Sequence, residues 1–202
     1  MIRDGIYYAA ALIVAGLGLM YIASWLAALP LFLLAAFCLY FFRDPNRTVP
    51  DGAVAVSPAD GRVVSVKAVE PNGTRVSIFL NIFDVHVNRT PIAGRITDVA
   101  YQPGRFLVAS RESASAENEQ NIVTVEGDGT RVVFKQIAGL IARRIVCWKK
   151  TGDVVRAGER IGLIKFGSRV DVFFGPEWQV TVNVRERVSG GSSVIARRRR
   201  EQ

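Results

Sequence analysis

The fold class predicted by this 202-residue sequence is a mainly β, barrel-sandwich-hybrid-like domain preceded by an N-terminal hydrophobic helical hairpin. Three observations lead there. An apolar run without a single charge spans residues 5–42. Beyond it, short segments of β-branched and aromatic residues alternate with Gly, Pro, Asn and Asp. No stretch past Phe42 sustains a long helical period. Half of all residues are apolar, yet outside the run the share falls to roughly 41%, ordinary for a soluble domain. A fully soluble protein, a disordered chain and a multi-span transporter are thereby excluded. What remains is a membrane anchor at 1–44 and one domain at 45–202, long enough to bury its own core.

One helix across the whole run would be ~57 Å long, against ~30 Å of hydrocarbon. Two segments, 5–24 and 26–42, each approximate one span. Trp25 and Pro30 then lie near the junction, as an interfacial aromatic and a helix breaker. A cleaved signal peptide would have a shorter apolar region and a small-residue cleavage site, and neither is present. Arg3 precedes the run and Arg43 and Arg47 follow it, in a chain of net charge +8. A hairpin puts both ends on one side, and basic flanks make that side the cytoplasmic face of the cell membrane. Cys38 and Cys147 lie far apart and give no disulfide framework. Without metal-ligand spacing around it, Cys147 is expected to be a buried small apolar residue.

Strands are expected at 62–69, 74–80, 95–101, 122–126, 131–137, 160–166, 169–174 and 179–188. Turn signals stand between them at Pro71-Asn72-Gly73, Pro103-Gly104, Gly127-Asp128-Gly129 and Thr151-Gly152-Asp153. The polar stretch 111–121 reads as a loop or short helix. Residues 56–64 and 152–162 look like the two half-motifs of a biotinyl/lipoyl-type barrel-sandwich, with glycines that permit positive φ. At the carboxyl end a Gly-Ser spacer leads to four arginines, 197–200. On an anchored chain these suit anionic headgroups, at about 1 kcal/mol per basic residue. No nucleic-acid partner is expected, because aromatics are not interleaved with the arginines.

His86 is the single histidine, so no histidine-based metal cluster can form and no metal is expected. Motifs of serine hydrolases, phosphate loops and dinucleotide folds are also missing. His86 stands in a polar, pre-proline setting, Asp84-Val85-His86-Val87-Asn88-Arg89-Thr90-Pro91. The most informative stretch is Ile164-Lys165-Phe166-Gly167-Ser168-Arg169-Val170-Asp171. Its plain reading is a two-residue Gly-Ser hairpin turn between strands. The alternative is a self-processing bond. The Ser168 hydroxyl would attack the Gly167 carbonyl and move the acyl group from nitrogen to oxygen. Elimination would then leave a dehydroalanine that hydrolyses to a pyruvoyl group. Glycine suits the attacked position because it lacks a Cβ.

Four stretches carry a more specific signal: Ser57-Pro58-Ala59-Asp60-Gly61, the segment from Asn81 to Pro91, Ala116-Glu117-Asn118-Glu119-Gln120-Asn121, and Phe166-Gly167-Ser168-Arg169-Val170-Asp171. In this order they resemble the phosphatidylserine decarboxylase proenzymes of the short, membrane-anchored type, a pyruvoyl-dependent decarboxylase family. The resemblance implies cleavage between Gly167 and Ser168. The products, 1–167 and 168–202, would stay together as a heterodimer, with a covalent pyruvoyl group (pyruvate) in place of Ser168 as the cofactor. The amine of the phospholipid substrate would form a Schiff base with it, lose carbon dioxide and leave as phosphatidylethanolamine. The resemblance also implies that Asp60 and His86 assist Ser168, Asp60 by orienting or polarising the base and His86 by transferring protons. Longer bacterial members carry a second histidine three residues on. Arg89 stands there in this chain, and it becomes a candidate for the lipid phosphate. A tethered, basic domain also suits an anionic substrate whose acyl chains stay in the bilayer. The competing reading is a membrane-tethered biotinyl/lipoyl-like carrier or adaptor without catalysis. It needs an acceptor lysine at a hairpin tip, and Lys165 is the nearest candidate.

Overall fold

The structure, a computed structural model, describes residues 2–140, 144–165 and 168–199. It divides into two compact units, Met1–Asn46 and Arg47–Gln202. The first is a helix pair, α1 (Arg3–Ile22) and α2 (Trp25–Phe41). The break between them is made by a cap. Ser24 is extended and its side chain accepts a hydrogen bond from Ala27 N at 3.3 Å. Pro30, expected near the junction, lies inside α2, within the segment 26–42 that was expected to form the second helix. Gly5 and Gly16 let the helices close up, since a Cβ there would come within 2.4 Å of Phe42 and 2.8 Å of Phe32. Their outer faces expose Val14, Leu17, Leu26 and Leu33, the reverse of the pattern in soluble helices. With 20 residues and a mean hydropathy of 1.8, α1 is long and apolar enough to cross a membrane. At 17 residues, α2 has the length of the segment expected at 26–42, shifted by one residue.

The second unit is built of antiparallel strands. Its largest sheet runs β13 (Arg187–Val188), β2 (Gly61–Val69), β3 (Gly73–Leu80), β11 (Ser168–Phe174), β7 (Thr130–Ala138), β6 (Gln120–Gly127), β5 (Gly94–Gln102), β9 (Val154–Val155). Two smaller sheets complete it. One is β1 (Val54–Val56), β14 (Val194–Arg198) and β12 (Trp178–Val180); the other is β4 (Val87–Arg89), β10 (Arg160–Ile164) and β8 (Ile145–Cys147). The protein is therefore mainly β with an N-terminal helical pair.

Alternation along the central strands sorts the side chains. Ile78 and Leu80, Val170 and Val172, Phe134, and Val123 and Val125 all turn to one face and are fully buried there. Ala55, Ile161 and Ile195 from the small sheets pack against them in the same core. The strand expected at 179–188 divides into β12 and β13, because the two ends pair with different sheets. Gly152 (φ +97°) and Gly158 (φ +71°) take the left-handed turn conformations that their motif suggested. Within 111–121, one short helix forms, α3 (Ala114–Glu117).

Strand pairing bears on the hairpin reading of the Gly-Ser step. A hairpin turn at Gly167-Ser168 would pair β10 with β11. Instead β10 lies between β4 and β8, while β11 lies between β3 and β7. The chain leaves one sheet at Ile164 and enters another at Ser168, so the hairpin reading does not stand. Gly167 itself lies outside the described residues.

Candidate active site

Ser168 opens β11, opposite Leu80 on one side and Ala138 on the other. It shares the inner face with Val170 and Val172, so a hydroxyl stands where the strand pattern places apolar groups. It is fully buried, and its Oγ has no hydrogen-bond partner among the described residues. A buried hydroxyl left unpaired costs about 1–3 kcal/mol.

The chain leaving β3 turns tightly at 81–84. Asn81 Oδ1 accepts from Phe83 N at 2.7 Å, and Asp84 Oδ2 accepts from Asn81 N at 2.9 Å. Arg187 Nη2 holds the other oxygen of Asp84 at 2.6 Å. This turn delivers His86, which is 1% exposed, with Nδ1 2.9 Å from the Asp84 carbonyl oxygen. A carbonyl can only accept, so Nδ1 carries the proton in this bond. Ile164 N donates to His86 O at 3.3 Å, which ties the histidine to the end of β10, four residues before Ser168.

Asp60 is held differently. Its Oδ2 binds Arg47 Nη2 at 2.7 Å and its Oδ1 accepts from Gly190 N at 2.7 Å. It precedes β2, which is separated from β11 by β3 alone, or ~10 Å at the usual strand spacing. No hydrogen bond joins Ser168 Oγ to Asp60 or to His86. Arg89 is 6% exposed; its N donates to Pro58 O at 2.8 Å and its Nη1 to Gly158 O at 3.0 Å. Those two bonds stitch β4 to the 57–60 loop and to the turn before β10. Asp60, Arg89 and His86 thus lie on one hydrogen-bonded framework that leads, through β10, toward Ser168. Lys165 is 8% exposed, whereas a carrier's acceptor lysine has to reach into solvent.

The opposite face of the sheet holds charges that the sequence reading left without a role. Arg169 and Asp171 alternate with the apolar residues of β11, and at 1% and 0% exposure they are as buried as the core. Arg169 Nε donates to Asp171 Oδ1 at 2.7 Å, its Nη2 to Ser77 Oγ at 2.7 Å and its Nη1 to Arg111 O at 3.2 Å. Ser115 donates to the second oxygen of Asp171, and Arg75 pairs with Glu112. Burial pushes the Glu112 carboxyl up, but the hydrogen bond and charge of Arg75, with Arg169 and Lys67 nearby, outweigh it and hold it below the ordinary range. The polar stretch 111–121 is therefore a cover over buried ion pairs. Cys147 is half-buried, not buried as expected; burial raises its thiol pKa, against hydrogen bonds to Lys149 and Asn121.

The fold defines a mainly β domain that follows an apolar helix pair, with Ser168 buried and its Oγ without a hydrogen-bond partner among the described residues. Residues 34–196 match the family model described as phosphatidylserine decarboxylase. Phosphatidylserine decarboxylase proenzyme from Solibacter usitatus (strain Ellin6076) is 66% identical over 200 residues, covering 98% of this chain and 97% of that one. The proenzymes of Syntrophus aciditrophicus (strain SB) and Magnetococcus marinus (strain ATCC BAA-1437 / JCM 17883 / MC-1) are 47% and 46% identical, over 85% and 83% of this chain. They cover 84% and 80% of those relatives. The chain belongs to the phosphatidylserine decarboxylase family.

Proposed function

We propose that this chain decarboxylates phosphatidylserine to phosphatidylethanolamine, after cutting itself between Gly167 and Ser168 into 1–167 and 168–202. The observation that carries the reading is the Ser168 hydroxyl, buried and unpaired where the chain crosses between sheets. Family membership, and the word proenzyme in the relatives' names, supports a processed chain. A serine with no structural use for its hydroxyl fits conversion to a pyruvoyl group. Once formed, that group supplies a ketone for the substrate amine and an electron sink for the departing carbon dioxide.

The remaining roles belong to side chains. His86 takes the Ser168 proton during self-cleavage and exchanges protons with the substrate carbon in turnover. Asp60 is a positioning residue: through Arg47 and Gly190 it fixes the loop whose Pro58 carbonyl anchors β4. Arg89 was a candidate for the lipid phosphate. Its burial and its bond to the Gly158 carbonyl support a place in the framework instead. The loops that leave β3 and β7 beside Ser168 expose Ile82, Phe83 and Leu140, apolar groups suited to the bilayer surface from which a phospholipid enters.

On this reading both termini and the domain lie on the cytoplasmic face, as the basic flanks require. In sealed right-side-out vesicles, protease added outside is expected to leave the domain intact until detergent is added. Digestion before detergent would place it on the opposite side.

The test of self-cleavage is the intact mass of the purified full-length protein under denaturing conditions. Two pieces are expected, ending at Gly167 and beginning at residue 168, the smaller one blocked at its amino terminus and lighter than a hydrolytic fragment by one ammonia. His86→Ala is expected to slow processing by about 10²–10⁴-fold, the usual worth of a positioned acid-base group. A single uncut wild-type chain would end this reading and return the carrier alternative.

A further inference from the structure

The two ends of the large sheet differ in kind. Leu80, Ser168, Ala138, Gln120 and Gln102 close one end of β3, β11, β7, β6 and β5. The connections at that end expose large apolar side chains: Ile82 and Phe83 after β3, Leu140 after β7, and Val108 between β5 and β6. Tyr101, at the end of β5, is exposed with them. The other end lies six steps along β11, or ~20 Å at the usual rise. There the turns at 70–73 and 127–130 and the segment 175–177 expose no large aliphatic or aromatic side chain. Glu70, Asn72 and Asp128 meet solvent instead. Single exposed apolar residues are ordinary, but several gathered on one rim mark a contact surface.

The same rim is basic. Arg105, Arg111 and Arg144 are exposed on these connections, and Arg187 holds the 81–84 turn through Asp84. The exposed carboxylates between them, Glu112 and Glu117, are paired with Arg75 and Arg105. Glu186, beside Arg187, accepts from Asn183 N. Hydrogen bonds tie the rim to the sheet. Asn118 Nδ2 donates to Leu107 O and to Ala138 O, and Lys165 N donates to Arg144 O at 3.2 Å. The chain also enters the domain here, since Arg47 pairs with Asp60 immediately before β2. Apolar side chains set among arginines suit a surface that is dry below and anionic above.

We propose that this rim is a second membrane contact, separate from the helix pair: Ile82, Phe83, Val108 and Leu140 seat in the headgroup region of an anionic bilayer. The arginines meet lipid phosphates, and the domain stands with its Ser168 end toward the lipid. The proposal rests on reading the helix pair as an anchor; it does not need self-cleavage. An anchor makes docking intramolecular, so a contact too weak to hold a free domain is enough. A basic rim adds attraction that depends on anionic lipid and fades with salt. Phosphatidylserine, the lipid in the family's name, is itself anionic.

The test is quenching of tryptophan emission by bromine carried on lipid acyl chains, in the full chain reconstituted into vesicles of phosphatidylglycerol and phosphatidylcholine. Trp25→Phe removes the tryptophan of the helix pair, and this parent supplies the baseline from Trp148 and Trp178. Phe83→Trp and Leu140→Trp then report on the rim. Val154→Trp is the control, an exposed position on the edge strand β9 beside Arg95 at the start of β5. The two rim probes are expected to lose about threefold more of their added emission than the control, as side chains seated ~5–10 Å into the headgroup boundary should. Pure phosphatidylcholine, or salt raised to about 1 M, is expected to cut that difference by about half. Rim probes quenched no more than the control in anionic vesicles would overturn the proposal. Rim probes shielded from water but not quenched by lipid would assign the rim to a second copy or another protein, and overturn it equally. If Phe83→Trp fails to fold, Leu140→Trp decides. The same readings are expected on the uncut Ser168→Ala background, so failure of the decarboxylase reading leaves this result standing. A chain that does not stay with the vesicles would remove the anchor reading and this proposal with it.

Discussion

Ser168→Ala is expected to persist as one uncut, inactive chain of full length. The hydroxyl is the only group the substitution removes, and without it neither the ester nor the group derived from it can form. A second consequence follows from burial. Because Oγ is buried and unpaired, its removal relieves a desolvation cost of about 1–3 kcal/mol. In a chain of this size 1 kcal/mol moves the melting temperature by roughly 2–4 °C. The variant is therefore expected to melt at or above the temperature of uncut wild type, while losing all activity. Loss of function without loss of stability separates a reactive serine from a structural one. Ser168→Cys retains a nucleophile and is expected to cleave slowly. A melting temperature several degrees lower in Ser168→Ala would mean that the hydroxyl has a structural partner.

The other large effect concerns stability. Asp171→Ala is expected to destabilise the domain by about 3–5 kcal/mol, because it leaves the Arg169 guanidinium buried without its carboxylate. That is a large part of a typical folding free energy of about 5–15 kcal/mol. Ser115 would lose its acceptor as well, loosening the 111–121 segment that covers this face. The double variant Arg169→Met with Asp171→Leu removes both charges and is expected to recover most of the loss. Thermal melts of the full chain in detergent, made on the uncut Ser168→Ala background, keep processing out of the comparison. If Asp171→Ala melts like its parent, the pair contributes specificity without stability. Arg169 also neighbours Ser168 in β11, so this outer network holds the strand that presents the serine.

Much of this protein was legible along the chain. The helix pair follows from an apolar run too long for one span, and most central strands follow from β-branched alternation between turn residues. Those are local properties, and helix and strand periods report them directly. The boundaries show the limits of such reading. Pro30 stood near the junction as a helix breaker, yet it sits inside α2, and the break falls at Ser24, whose extended backbone and side-chain cap start the second helix. Strands of two or three residues such as β4, β8 and β9 carry no period of their own and exist only through the partners they pair with.

The candidate site divides along the same line. The sequence by itself determined which residue types were present for chemistry: one histidine, the Gly167-Ser168 step, and the ordered stretches around Asp60, His86 and Ser168 that resemble a family. It could not tell a hairpin turn from a crossing between sheets, since that depends on which strands β10 and β11 choose as partners. Nor could it show that Arg169 and Asp171, polar residues on the outward side of a strand, are sealed by a loop folded over them. The state of Asn88, whose buried Nδ2 has no hydrogen-bond partner among the described residues, was equally hidden, because an amide counts as satisfied or orphaned only once its neighbours are placed. Composition and period are written in consecutive residues. Burial and hydrogen-bond satisfaction are relations between segments far apart in the chain, and tertiary packing alone decides them.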